Sequence, residues 1–172
     1  MKKILITIMA ALAVAVSLVA CSGGADDTKL SGSTDTILTN LLTTAKIEIA
    51  MPEQAPATED NASGTLGISA EQFKSYVVEA TVSSSLMMTS AHQVTLAKTK
   101  TAADATELAK LIAAEFDSTK WVCVMPDRSV VVTSGTYVLL VVSTNEYVDA
   151  VLKAFEDAAG TTANLNTFYT KS

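Results

Sequence analysis

Val130-Val131-Val132-Thr133-Ser134-Gly135-Thr136-Tyr137-Val138-Leu139-Leu140-Val141-Val142 holds two apolar, β-branched runs on either side of Ser134-Gly135. That combination predicts a hairpin. The second run, from Tyr137 to Val142, is apolar on both sides of its alternation. A strand of that kind has to be covered on both faces, so it belongs in the middle of a sheet. The rest of the chain must supply its neighbours and its covers.

Working upstream, Trp121 to Met125 is a short apolar run, read as a strand that stops at the turn pair Pro126-Asp127. Before it, Thr101-x-x-Asp104 is a helix-start signature. Leu108, Leu111, Ile112 and Phe116 follow at helical spacing, which predicts a helix over about 102–117. Gln93 to Lys98 alternates, with Val94 and Leu96 inward and Thr95 outward. Tyr76 to Ser83 alternates as well, with Tyr76, Val78, Ala80 and Val82 on one side and Val77 interrupting the polar one. Both read as half-buried strands, and Leu86-Met87-Met88 between them reads as a buried hairpin tip. Exposed methionines would instead make an adaptable contact surface.

Ser69-Ala70-Glu71-Gln72 is a capping box that should open a short helix. Met51 to Thr65 is polar, carries Pro52 and Pro56, and reads as loop or extended chain. Its Asn61-Ala62-Ser63 matches a glycosylation sequon by chance. Ile37, Leu38, Leu41, Leu42 and Ala45 share one helical face behind a cap at Ser33 or Thr34. Downstream of the hairpin, Ser143-x-x-Glu146 opens a last helix. Its stripe is Tyr147, Val148, Val151, Leu152 and Phe155, and Gly160 is its stop. The order of elements predicts one α+β domain over 33–160, a mainly antiparallel sheet with helices packed against it. Residues 161–172 read as a loose, polar tail.

The composition removes whole classes of function. A formal charge of −6 argues against a nucleic-acid binder. Two cysteines are too few for a disulfide scaffold, and a chain that is 49% hydrophobic is not disordered. Part of that apolar content sits at the start. Met1-Lys2-Lys3 is followed by a 16-residue run, Ile4–Val19, broken only by Thr7 and Ser17. A membrane span needs about 20 residues, so residues 1–20 read as an export signal that is removed. Leu18-Val19-Ala20-Cys21 looks like the bacterial lipobox, which implies cleavage before Cys21 and diacylglycerol on its sulfur. Loss of Lys2 and Lys3 takes the charge from −6 to −8. Residues 21–32, with Gly23-Gly24 and Asp26-Asp27, read as a flexible, solvated tether.

Leu66-Gly67-Ile68 before the Ser69 cap, the strand from Tyr76, Val94-Thr95-Leu96-Ala97-Lys98, and Gly135-Thr136-Tyr137-Val138-Leu139-Leu140-Val141-Val142-Ser143 carry a resemblance. The segment Leu66 to Phe155 resembles a family of small Gram-positive lipoproteins with a domain of unknown function. The resemblance implies a place on the outer face of the cytoplasmic membrane. It implies no activity and carries over no functional residues. Genes of the family are associated with membrane O-acyltransferases of cell-wall polysaccharide, which is an association and not a mechanism.

Few residues offer chemistry. His92 is the single histidine, and Ser90 is two residues away. A Ser–His hydrolase needs its nucleophile within hydrogen-bond reach of the base and a third, orienting group, and no Gly-x-Ser-x-Gly elbow occurs. The expectation is a surface or strand-end histidine. Cys123, among Trp121, Val122, Val124 and Met125, reads as a small buried hydrophobe, hence a poor nucleophile. Glu59-Asp60 falls in a loop and Glu156-Asp157 on an exposed helix face. Adjacent helical carboxylates point about 100° apart and do not converge. No phosphate loop and no zinc spacing is present. Tyr137 and Tyr147 read as core. The expectation is a non-catalytic interaction module, without cofactor or metal, held to the membrane through Cys21. Its partner would be an envelope protein or the cell wall, and a small-ligand or glycan binder is the alternative.

Overall fold

The structure is a computed structural model, and it describes residues 28–49, 52–85, 90–121 and 123–170. The hairpin forms as predicted. Strand β4 (Arg128–Ser134) turns through Gly135-Thr136 into β5 (Tyr137–Ser143), with Val131 opposite Leu140. On its other side β5 pairs with β3 (Gln93–Thr99), and β3 with β2 (Val77–Ser85). Strands β1 (Pro52–Pro56) and β6 (Asn164–Thr170) form the two edges. The six strands run in the order β1-β2-β3-β5-β4-β6, all antiparallel. With five α-helices among the described residues, the domain is α+β.

Every residue of β5 is buried. Alternation sends Tyr137, Leu139 and Val141 to one face, where α1 (Thr34–Ala45) and α5 (Asn145–Ala159) cover them with Leu38, Leu41, Val151 and Phe155. Val138, Leu140 and Val142 go to the other face. There α2 (Ala62–Leu66), α3 (Ala70–Tyr76) and α4 (Ala102–Glu115) supply Leu66, Phe73, Leu108 and Ile112. Each side chain of this size gains about 2 kcal/mol from burial.

The caps follow local chemistry. Ser33 Oγ accepts from Thr36 N, and Thr101 Oγ1 accepts from Asp104 N. At α3 the box is complete: Gln72 N donates to Ser69 Oγ, and Ser69 N donates to Gln72 Oε1. Thr144, one residue after the predicted Ser143, caps α5. Ser143 still belongs to β5, and its hydroxyl is turned inward.

The structure corrects several expectations. Trp121 and Cys123–Met125 form no strand, because β6 takes the place beside β4. The tail is not loose: Asn164–Thr170 pairs with β4, which satisfies backbone groups β4 would otherwise leave open, and Phe168 packs edge-on to Phe116. In β2 a bulge between Val77 and Glu79 changes the phase. Val77 joins Ala80 and Val82 inside, and Val78 is 59% exposed. Thr95 is buried, since β3 is covered on both faces. The segment read as loop forms β1, a 3₁₀ turn (Glu59–Asn61) and α2. The packed domain also starts earlier than Ser33: Lys29 N donates to Ala159 O at 2.8 Å, and Leu30 is buried.

The leader, Cys21, Asp26-Asp27 and Leu86-Met87-Met88 lie outside the described residues. Among the described residues no helix is long and apolar enough to cross a membrane.

Gly67 ends α2 at φ 76°, and a Cβ there would sit 2.5 Å from Phe116 Cα. Backbone cannot yield as a side-chain tip can. Gly67→Ala is therefore expected to cost about 2 kcal/mol or more in urea unfolding. A loss below about 0.5 kcal/mol, the range of an ordinary surface change, would contradict the fit.

Candidate functional site

His92 directly precedes β3, and alternation turns it toward the α1/α5 face. It is buried there: of the expected surface or strand-end positions, it holds the strand end. Its Nδ1 shares a 3.0 Å hydrogen bond with Ser143 Oγ, and its ring meets Tyr147 edge-on at 6.2 Å. Burial lowers its pKa from 6.5 to about 4, so the ring is neutral at pH 7. Ser90 is not its hydrogen-bond partner in this pair. The Ser143 side chain is itself buried, so among the described residues the pair has the distance of a hydrogen-bonded hydroxyl and ring but lies enclosed. It works as a buried polar tie between β3, β5 and the start of α5.

A second polar cluster ends α2. A helix C-terminus leaves carbonyls without intrahelical donors. Thr65 O accepts from Gln93 Nε2 at 2.7 Å and from Thr95 Oγ1 at 2.9 Å. Lys120 Nζ donates to Gly64 O and to Gln93 Oε1. The same ammonium lies 4.7 Å from the centre of the Phe116 ring and 4.6 Å from that of Trp121. Burial drives the Lys120 pKa down to about 8, with the Asp117 charge opposing. Its two hydrogen bonds tie the end of α2 to the start of β3, and its ring contacts place it over the chain that leaves α4.

A cleft of about 400 Å³ lies beside Leu152 and Leu165, and one open groove, of about 320 Å³, lies between α1, α5 and residues 29–31. Leu30, Ile37, Leu41 and Ala154 make its floor, and Lys29, Asn40, Thr44 and Asp157 its polar rim. It continues along the helix seam past Ala150 and Lys153. Asp157 is paired to Lys153 at 2.8 Å, which holds the lysine above its ordinary pKa. The sequence reading missed this groove. Its signal was the row Ala150, Ala154, Ala158, spaced four apart on the face of α5 that meets α1. Small side chains at that spacing leave a channel between packed helices.

The remaining candidates scatter. Cys123 is exposed, which corrects the buried reading: the run around it passes over the surface as loop. Tyr137 is core, while Tyr147 is half-buried and donates its hydroxyl to Glu48 O. Glu59 pairs with Lys74, and Glu156 Oε1 accepts from Ala163 N. Asn61 Oδ1 accepts from Thr58 N, so the sequon asparagine is a local cap. Among the described residues no three His, Cys, Asp or Glu could hold a metal ion together. No family model matches the chain, and neither a curated protein nor a solved structure matches it.

The His92 environment predicts an acid-sensitive stability. The unfolded imidazole gains its proton near pH 6.5, and the folded one only near pH 4. The unfolded state therefore binds more protons between those values. Stability is fully present above pH 6.5 and declines as pH falls toward 4. The loss from pH 7 to pH 5 should be about 2 kcal/mol in urea unfolding, and His92→Asn should remove most of that slope. An unchanged slope in the variant would show that carboxylates, not His92, carry it.

Proposed function

We propose that this chain is a lipid-anchored extracytoplasmic lipoprotein whose α+β domain is a non-catalytic interaction module for a membrane-associated envelope partner. The observation that carries the reading is Leu18-Val19-Ala20-Cys21 behind a cationic start and a 16-residue apolar run. The likeness to small Gram-positive lipoproteins points the same way. Burying acyl chain gains about 0.8 kcal/mol per CH₂, so two or three chains on Cys21 would hold the domain on the bilayer almost permanently.

The groove supports the partner half of this reading. Lys29 is pinned to the end of α5 and lines the groove. Six residues separate Cys21 from Thr28, a reach of about 25 Å at full extension. A lipidated Cys21 therefore keeps the groove close to the headgroups, within range of a membrane protein. The acidic charge keeps the domain from lying on anionic lipid.

A small-ligand or glycan binder is the second reading, favoured by one observation. A groove of about 320 Å³ with amide, hydroxyl and carboxylate groups around an apolar floor falls in the size range of ligand sites. An accessory role in cell-wall polysaccharide modification would use the same groove.

Labelled palmitate fed to cells should co-purify with the protein and vanish in Cys21→Ala. Label that persists in Cys21→Ala would rule the anchor out. A photo-crosslinker at Asn40 or Thr44 in native membranes should capture one stoichiometric protein. If wall fragments raise the melting temperature instead, and no protein is captured, the ligand reading replaces the partner reading.

A further inference from the structure

The chain reaches α1 through residues 28–32, a short segment without regular structure. Leu30 alone among them is buried, in the core cluster that holds Ile37, Leu41 and Phe155. Among the described residues one backbone hydrogen bond ties this segment to the body ahead of Gly32, from Lys29 N to Ala159 O at 2.8 Å. It serves a carbonyl at the end of α5, where intrahelical donors have run out. The Lys29 stem lies across Gly160, where a Cβ would stand 2.6 Å from Lys29 Cδ. Leu30 N donates to Thr28 Oγ1, a bond internal to the segment that moves with it.

Gly32 divides the fixed chain from the loosely held one. Its φ is 115°, a conformation that side chains disfavour, and a Cβ there would meet nothing within 4 Å. The backbone therefore has room to turn at this residue. The Gly32 carbonyl is held, since Tyr137 Oη donates to it at 3.3 Å, and Ser33 directly after it caps α1. Beyond Gly32 the chain is locked into helix and core. Before it, the described ties are the Leu30 side chain, one hydrogen bond and the lysine stem over a glycine.

We propose that residues 28–32 form a hinged strap that opens as a unit about Gly32 while α1, α5 and the sheet stay folded, and that its opening controls the groove between those helices. Leu30 is the plug, the bond from Lys29 N to Ala159 O the latch, and Gly160 the seat. Lys29, Leu30 and Ser31 line the groove, so withdrawing them widens it and bares Ala159 O as an acceptor. Opening also adds five residues to the tether, about 17 Å at full extension. A partner that needs the widened groove binds only the open state. Its apparent affinity falls by the fraction of open strap, and its binding holds the strap open.

Hydrogen exchange on the full chain tests the opening. The Lys29 amide should exchange at least a hundredfold faster than the amides of Leu139 and Val141 in β5. Low urea should leave its rate unchanged, because a local opening exposes little surface. A Lys29 rate that climbs with urea in step with β5 would show that only global unfolding frees the strap, and would overturn it. Gly32→Ala puts a methyl group into open space but disfavours the positive φ. It should speed Lys29 exchange at least threefold further and leave β5 as it was. An unchanged Lys29 rate, or an equal rise in β5, would remove the hinge. Control of the groove rests on the partner reading above, and a photo-crosslinker at Asn40 tests it separately. Capture in native membranes should at least double in Gly32→Ala. Capture that does not rise beside faster exchange would overturn the control. No capture in either chain would overturn the partner reading, and the exchange rates alone would then decide the strap.

Discussion

The burial of β5 on both faces is the constraint from which the rest follows. Its seven residues give up solvent on each side of the sheet. Neither an open antiparallel sheet nor a single helical layer can satisfy that. Helices α1 and α5 cover one face, while α2, α3 and α4 cover the other, and two separate cores result. The order of strands is a consequence. β3 and β4, the two neighbours of β5, are buried almost as fully, and only β1 and β6 are left to meet water at their outer sides.

Double coverage buries polar atoms too, and these must find partners. Gln93, Thr95, His92 and Ser143 lie at the ends or on the covered faces of β3 and β5. Each is spent on a join between layers. Gln93 and Thr95 both donate to the Thr65 carbonyl near the end of α2, and Lys120, beside two aromatic rings, takes that of Gly64. His92 and Ser143 bind each other beneath the start of α5. The buried amide, hydroxyls and imidazole therefore fix how helices sit on the sheet, and the lowered basicity of His92 and Lys120 reflects this enclosure. Among the described residues, His92, Ser143 and Lys120 all make hydrogen bonds that tie elements of the fold together.

Much of this was legible in the residues. The hairpin, the central position of β5, three of the helix starts and the stop at Gly160 each rest on local chemistry: alternation, capping side chains, and a glycine in the left-handed region. What escaped depends on partners distant in the chain. Val78 faces outward because of a bulge, which shifts the face without changing the composition. The tail reads as loose because Asn and Thr dominate it; its order comes from Phe168 meeting Phe116 and from the open edge of β4. Cys123 sits in an apolar pentapeptide that would suit a strand, but the place beside β4 is filled by β6. The groove was hidden because a row of alanines marks an absence of side chain, which hydrophobic periodicity does not register.

The C-terminal end of α5 links the features that face outward. Ala159 O accepts from Lys29 N, which fixes the arriving chain, and Glu156 Oε1 accepts from Ala163 N, which starts the segment leading into β6. Gly160 stands between them at φ 69°, where a Cβ would strike the Lys29 side chain at 2.6 Å. A left-handed residue without a side chain is thus needed both to turn the chain and to seat the incoming lysine. The groove begins at this junction and the uncharged edge strand departs from it. The well-guarded β1 edge lies at the opposite side of the sheet. Strand order alone separates the edge that carries proline and charge from the edge that carries neither.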